Sequence, residues 1–154
     1  MIFRQLFDSS SSTYTYLIAD HNSREAVIID PVFEQTTRDL ALIRELDLKL
    51  VYTVDTHCHA DHVTGAWILK EKTGCQISAS KKIGAANVDI KLVHGDQIRF
   101  GDQYLGVRET PGHTDGCLTY VTHNQSHAFT GDALLIRGCG RSDFQQGNAN
   151  TLFD

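Results

Sequence analysis

The sequence has 154 residues, a length that suits a single domain with one well-buried core. Lys and Arg number 14 against 19 Asp and Glu, so the formal net charge is −5. A chain of this acidity has no strong general attraction to nucleic acid or to anionic membranes. Small molecules are therefore the expected partners.

The cellular location is predicted from targeting signals and from the cysteines. The sequence contains no run of about 18 apolar residues, and no basic patch followed by an apolar segment opens it. We therefore predict neither a membrane span nor a signal peptide, and a cytoplasmic location. The four cysteines, at 58, 75, 117 and 139, are scattered and form no C-x-x-C pair, so reduced thiols are expected.

Short strand-like runs separated by polar turns dominate the first third of the chain. Strands are predicted at 2–7, 13–19 and 25–30, where β-branched and aromatic residues are frequent. An amphipathic helix is predicted at 36–46 from apolar residues at spacings of three. A strand at 48–56 then runs into a histidine cluster, and helical spacing returns at 62–74, with Trp67 predicted in the core.

The remaining segments predict two hairpins and, at the last residues, the beginning of a helix. Hairpin patterns occur at 97–110 around Gly-Asp and at 117–132 around Asn-Gln-Ser. Together, these elements favour an α/β or α+β sandwich whose helices cover sheet faces, and not an all-β barrel. The sequence stops at 148–154, NANTLFD, where helical character is only beginning. We therefore expect residues 1–154 to form one domain that lacks its C-terminal part.

The segment HCHADH at 57–62 concentrates residue types that bind metal ions. His57, His59 and Asp61 alternate, so in an extended segment their side chains point the same way. Two later strands end in similar segments, PGHT with His113 and TGD with Asp132. Burying so many ionisable groups together is costly unless a cation compensates them. These strand-end residues therefore predict a metal site.

Three short strings in the sequence resemble the metallo-β-lactamase-like superfamily. They are THCHADH at 56–62, PGHT at 111–114 and TGD at 130–132, and the resemblance covers nearly the whole chain. It implies an α/β fold of the metallo-β-lactamase-like kind, an αββα sandwich with the metal at one edge. It also implies two ligand groups, one of His57, His59 and His113, the other of Asp61, His62 and Asp132.

Within that superfamily, residues 133–147, ALLIRGCGRSDFQQG, resemble the persulfide dioxygenases, as do RQLF at 4–7 and SREAVIIDP at 23–31. This resemblance implies one Fe²⁺ per chain, bound by the catalytic residues His57, His113 and Asp132. Two histidines and one carboxylate leave part of the iron's coordination sphere open for reactants. The implied reaction is oxidation of glutathione persulfide by O₂ to sulfite and glutathione.

The other members of the cluster have two interpretations. In the dioxygenase interpretation, which we favour, His59, Asp61 and His62 orient the ligands and shape the pocket through hydrogen bonds. In the zinc hydrolases of the superfamily, the same positions complete a second metal site. Metal stoichiometry distinguishes the two.

Three further residues are candidates for substrate binding. Arg141 matches a glutathione carboxylate with its guanidinium fork, while Thr114 neighbours a predicted ligand and Cys139 offers a thiol. A surface or structural role for Arg141 and a small buried cysteine at 139 are the alternatives.

Two other functions fit the same residues. A glyoxalase II-like glutathione thioester hydrolase would use a binuclear metal site built on the same cluster. A non-catalytic metal-binding fragment would bind metal and turn over neither substrate. An uncovered sheet face would also favour association with a second copy of the chain, so a homodimer is expected.

Overall fold

The computed structural model describes residues 1–153, which form two packed β-sheets and three helices. The helices are α1 (Thr36–Glu45), α2 (Ala66–Thr73) and the short α3 (Ala149–Phe153). The strands are β1 (Ile2–Asp8), β2 (Thr13–Ala19), β3 (Glu25–Ile29), β4 (Lys49–Val54), β5 (Gln76–Ser80), β6 (Ile90–Leu92), β7 (Gln97–Phe100), β8 (Gln103–Glu109), β9 (Leu118–Thr122) and β10 (Ala128–Phe129).

The larger sheet has six strands in chain order from β1 to β6. β1, β2 and β3 pair antiparallel, with register partners such as Phe7 and Tyr14. β3, β4, β5 and β6 pair parallel, and α1 and α2 lie in the first two of the crossovers that parallel pairing requires. Because β3 and β4 are parallel neighbours, their carboxyl ends lie side by side at one edge of the sheet.

The smaller sheet has the order β10-β9-β8-β7 and is antiparallel throughout. Its pairing confirms both hairpins predicted from the sequence, β7 with β8 and β9 with β10. The second hairpin is more irregular than predicted, since β10 has only two residues and a 3₁₀ turn at Gly131–Ala133 follows it.

Two apolar clusters hold these layers together, and β2 contributes to both. Ile18 faces the smaller sheet, whereas its neighbours Leu17 and Ala19 face the helices, as alternation along a strand requires. Full burial of each large apolar side chain contributes about 1.5–3 kcal/mol. The cluster between the sheets comprises Ile18, Val27, Ile29, Val54, Leu92, Ile98, Phe100, Leu105, Val107, Leu118, Tyr120 and Phe129. The cluster under the helices comprises Leu17, Ala19, Ala26, Ile28, Ile43, Leu50, Leu69 and Cys75.

α2 begins later than the sequence predicts, and His62 lies outside it. The predicted helix covered 62–74, but the structure forms α2 only from Ala66. The preceding backbone is hydrogen-bonded to the segment after β3, through Phe33 N–H to the Val63 carbonyl at 2.9 Å. Placing Trp67 in the core was also wrong, because this side chain is 58% exposed.

The layers formed by residues 1–153 are a helical layer, the six-stranded sheet and the four-stranded sheet. This arrangement matches the predicted α/β sandwich on three of its four layers. None of the helices in this part of the chain combines the length and apolar character needed to cross a membrane.

Candidate metal centre

The predicted metal ligands lie where strands of both sheets end. His57 follows β4 in the loop at 55–65, while His113 follows β8 and Asp132 lies in the 3₁₀ turn after β10. Asp30 directly follows β3, the parallel neighbour of β4. Ionisable side chains that follow four strands of the two sheets therefore lie at one edge of the sandwich.

The structure brings His57, His113 and Asp132 together as a first cluster. Each offers a ligand atom, and these atoms lie within 4.8 Å of one another. His113 Nε2 lies 3.5 Å from Asp132 Oδ2, and the two imidazole rings stand nearly perpendicular, with centroids 4.8 Å apart. Both histidines are buried, but the Asp132 side chain is 44% exposed, so the cluster opens toward solvent on the carboxylate side.

Hydrogen bonds determine which ring nitrogen of His57 and of His113 has a lone pair available for a cation. His113 Nδ1 lies 2.6 Å from the Arg141 carbonyl oxygen, which can only accept, so Nδ1–H donates and Nε2 keeps its lone pair. Thr56 Oγ1 donates to Asp30 Oδ2 at 2.8 Å and lies 3.0 Å from His57 Nδ1. Nδ1 of His57 therefore donates to that hydroxyl, and its Nε2 is also left available for a cation.

His59, Asp61 and His62 form a second cluster beside the first. Asp61 Oδ1 lies 3.8 Å from His59 Nδ1, and its Oδ2 lies 3.2 Å from His62 Nδ1. The ring centroids of His57 and His59 are 4.1 Å apart, so the two clusters adjoin. His62 Nε2 is buried and has no hydrogen-bond partner among residues 1–153. This second cluster could hold a cation or shape the pocket.

Asp30 lies within the candidate site, although the sequence analysis did not predict it. Its buried carboxylate accepts the Thr56 N–H at 2.7 Å and the Thr56 hydroxyl at 2.8 Å, and it lies 3.1 Å from His59 Nε2. Burial opposes its ionisation, but the charge and hydrogen bond of His59 hold the pKa of Asp30 below its ordinary value. The available sequence signal was an aspartate directly after an apolar strand, VIID.

Asp55 repeats the Asp30 pattern at the end of β4. Its side chain accepts the Thr64 hydroxyl at 2.9 Å, and its backbone carbonyl accepts the Tyr120 hydroxyl at 2.7 Å. Burial and the nearby negative charge of Asp30 raise the pKa of Asp55 to about 7. Asp30, Asp55 and His59 offer ligand atoms within 4.8 Å of one another, so the two buried acids form a third group that shares His59 with the second cluster.

The histidines of the loop have opposite protonation tendencies. Burial and the charge of His59 lower the pKa of His57 to about 3. Burial also disfavours the charged form of His59, but the charge and hydrogen bond of Asp30 raise its pKa to about 9. His57 is therefore neutral at neutral pH, the form in which an imidazole binds a metal ion.

Two glycines allow the sharp turns beside the ligands. Gly131, with φ of +49°, precedes Asp132, and a Cβ at this position would lie 2.7 Å from the Thr56 Cβ. Gly112, with φ of +140°, precedes His113, and a Cβ there would meet the Leu152 backbone. Only glycine combines these dihedrals with such close approach.

The backbone near each predicted substrate-binding residue adjoins the first cluster. Thr114 follows His113, the Arg141 carbonyl accepts from His113, and Gly140, after Cys139, donates its N–H to the Asp132 carbonyl. The Arg141 guanidinium is exposed and donates two hydrogen bonds to Asp143, at 2.7 and 3.0 Å. The Thr114 hydroxyl is buried and lies 3.2 Å from Cys117 Sγ, so it packs inside the loop. Cys139 is partly buried. Of the three, Arg141 has the most accessible polar group.

Comparison with known proteins gives one family match. A sequence profile described as the metallo-beta-lactamase superfamily matches residues 10–154. The chain is 56% identical over 154 residues to the mouse protein named persulfide dioxygenase ETHE1, mitochondrial. The match covers 99% of this chain and 60% of the mouse protein, so the chain spans about three fifths of that curated relative.

A solved structure and a more distant relative add to this result. The crystal structure of ETHE1 from Myxococcus xanthus superposes with a TM-score of 0.96 at 52% identity, covering 100% of this chain and 67% of that one. A hydroxyacylglutathione hydrolase from Cereibacter sphaeroides is 34% identical over 133 residues, covering 85% of this chain and 51% of that relative. The metallo-β-lactamase-like fold predicted from the sequence is thereby confirmed.

Proposed function

The chain belongs to the metallo-beta-lactamase superfamily, and from that premise we propose that it oxidises glutathione persulfide with O₂ and water, giving sulfite and glutathione. The observation that carries the proposal is the meeting of His57, His113 and Asp132 at one sheet edge. The chain is also 56% identical to a relative named persulfide dioxygenase. Because it spans 60% of that relative, the activity is proposed for the protein to which this sequence belongs.

The donor set of the first cluster fits a single ferrous ion. Two imidazole nitrogens and one carboxylate oxygen are the ligands of oxygen-activating nonheme iron sites. The hydrogen bonds of His57 and His113 leave Nε2 of each ring free, and Asp132 supplies the carboxylate. When bound, ferrous iron supplies electrons for O₂ activation and brings the two reactants together.

The protein's own groups orient the ligands and admit the substrate. Thr56 and the Arg141 carbonyl fix the rings of His57 and His113. The exposed side of Asp132 gives the persulfide a route into the pocket. We assign Arg141 to a glutathione carboxylate, which would replace Asp143 on the guanidinium fork.

Thr114 and Cys139 complete the proposed substrate pocket. The buried hydroxyl of Thr114 supports the turn that carries His113. Cys139 lies two residues before Arg141 and presents a partly buried thiol. Both act on the shape of the pocket in this proposal.

Turnover of glutathione persulfide by the iron-loaded chain tests the proposal. The chain should release one sulfite for each O₂ that it consumes, and Asp132→Ala should abolish both O₂ consumption and sulfite release. Asp102→Ala, at an exposed hairpin turn, is the matched control and should retain activity. An iron-replete protein that consumes no O₂ with this substrate would sink the proposal.

The second candidate is a glutathione thioester hydrolase with two metal ions. The cluster of His59, Asp61 and His62 favours it, as does the 34% identity to a hydroxyacylglutathione hydrolase. Two bound metals and thioester cleavage without O₂ consumption would support this function. A chain that binds metal and turns over neither substrate would be the non-catalytic fragment.

We also propose association into a homodimer and a cytoplasmic location. Large apolar side chains are exposed after Asp132, including Leu134, Ile136 and Phe144, and association would cover such groups. A monomeric mass by light scattering at micromolar concentration would contradict the dimer. The mouse relative is named as mitochondrial, so cell fractionation is the appropriate test of location.

A further inference from the structure

Thr13, the first residue of β2, lies directly against the second cluster. Its hydroxyl donates to Asp61 Oδ2 at 3.1 Å and lies 3.2 Å from His62 Nδ1. The same carboxylate oxygen is 3.2 Å from His62 Nδ1, so hydroxyl, carboxylate and ring form a closed triangle. These contacts join residues 48 and 49 positions apart in the sequence.

The chemistry of the three groups fixes where the protons lie. An ionised Asp61 only accepts hydrogen bonds, so the Thr13 hydroxyl proton points to it. Both groups that face His62 Nδ1 are then oxygen acceptors, so a ring with a single proton carries it on Nδ1. This leaves the buried Nε2 of His62, which has no partner among residues 1–153, with its lone pair.

Thr13 is itself held in place by the first hairpin. Ser11 Oγ lies 2.8 Å from the Thr13 hydroxyl, and the Ser11 N–H donates to Asp8 Oδ2 at 2.8 Å. Asp8 is buried, pairs with Thr13 across the hairpin, and also accepts the Gln35 side-chain amide at 2.7 Å. These hydrogen bonds hold the Thr13 hydroxyl in place on the hairpin of β1 and β2.

We infer that Thr13 is a positioning residue of the pocket, which fixes the Asp61 carboxylate and the tautomer of His62. Through it, the hairpin of β1 and β2 controls two side chains of a loop that also carries His57 and His59. The inference rests on the proposed function in one respect, that Asp61 and His62 border the pocket where the persulfide reacts.

The ring of His62 reports this role directly, independently of turnover. Thr13→Val removes the hydroxyl and nearly preserves the shape of the side chain, whereas Thr13→Ser keeps the hydroxyl. In ¹⁵N spectra of the metal-free chain, His62 should have a protonated Nδ1 in the wild type and in Thr13→Ser. In Thr13→Val, the Asp61 carboxylate loses the hydroxyl that holds it against the ring, so the two ring nitrogens should shift toward a mixture of tautomers. Unchanged His62 resonances in a folded Thr13→Val variant would overturn the inference.

Turnover provides the second measurement. In the iron-loaded chain, Thr13→Val should lower kcat/KM for glutathione persulfide about tenfold, the scale typical of groups that orient ligands, with iron content unchanged. Thr13→Ser should retain most of the activity, and so should Thr37→Val, an exposed threonine on α1. A shifted His62 spectrum with wild-type turnover would contradict the positioning role in the reaction.

If Thr13→Val does not fold, Ser11→Ala removes the support of the hydroxyl and should shift the His62 resonances in the same direction. Unchanged resonances in that variant would overturn the inference. If the wild-type chain consumes no O₂, the proposed function fails, and the positioning role of Thr13 is then decided by the His62 spectrum alone.

Discussion

Asp30 joins the two clusters of the candidate metal centre through a single carboxylate. It accepts the backbone and side-chain hydrogens of Thr56, which in turn orients His57, and it also lies against His59. A buried carboxylate with three partners is stable as an anion only while those partners stay in place. We therefore expect Asp30 to affect metal binding through the rings that it orients.

Asp30→Asn tests this contribution. The amide keeps the size of the carboxylate but loses its charge and one of its two acceptor oxygens. We expect metal affinity to fall about 10–100-fold, as is typical when a partner of a ligating histidine is changed. Competition with a chelator gives the affinity, and Asp102→Asn on the exposed hairpin turn is the matched control. Unchanged affinity in a folded Asp30→Asn protein would contradict this role.

The metal content of Asp61→Ala, compared with that of the wild type, distinguishes the two interpretations of the second cluster. If His57, His113 and Asp132 hold the only catalytic metal, the variant should still bind about one iron per chain, because the first cluster is intact. Elemental analysis of the anaerobically purified variant gives this number. Loss of all metal would show that Asp61 belongs to the primary site.

The sequence predicted the first cluster because its members occur in short local strings. HCHADH, PGHT and TGD each place a ligand type just after a strand. The roles of Asp30 and Thr13 were not predictable in this way, because their contacts join positions 26 and 48 residues apart. Such pairings depend on which strands become neighbours, and an isolated aspartate or threonine carries no signal for them.

At the scale of elements, Tyr120 connects the smaller sheet to the loop that carries the histidines. Its ring is fully buried between the sheets, and its hydroxyl donates to the Asp55 carbonyl at 2.7 Å. A further link is the Leu118 N–H, which donates to the Thr56 carbonyl at 2.7 Å. β9 therefore fixes the start of the loop at 55–65 relative to the core.

Tyr120→Phe should destabilise the fold. The variant keeps the ring but leaves the Asp55 carbonyl without this hydrogen bond, which costs about 1–3 kcal/mol for a buried acceptor. Urea denaturation measures the free energy of unfolding. Tyr104→Phe, on β8 and only partly buried, is the matched control and should change it little. Equal stability of the two variants would contradict the importance of this contact.

Local sequence patterns predicted the strands and helices well where the hydrophobic periodicity was strong. They did less well where tertiary contacts determined where an element begins or ends. β1, β2, β3, α1 and both hairpins follow the predicted segments. β5 and β6 were not predicted, because QISAS is rich in small residues and IKL is short. The late start of α2 follows from backbone hydrogen bonds between the loop before it and the segment after β3, and no helical pattern encodes these.

For the whole molecule, the acidic net charge argued against nucleic acid and anionic membranes as partners. The resemblance to a known superfamily predicted the architecture. The pattern of strands and helices alone predicted an α/β or α+β sandwich, whereas the order of its strands came only from the structure. The two-sheet arrangement explains the site, since strand ends from both sheets meet at one edge. The choice of iron over zinc depends on similarity at 133–147 and not on the geometry of the cluster.

Metal identity and stoichiometry in anaerobically purified protein test the central claim most directly. The proposed iron dioxygenase, with its metal on His57, His113 and Asp132, predicts close to one iron per chain, with binding abolished in Asp132→Ala. Two metal ions per chain in the wild type, or zinc in place of iron after growth with both metals, would contradict it.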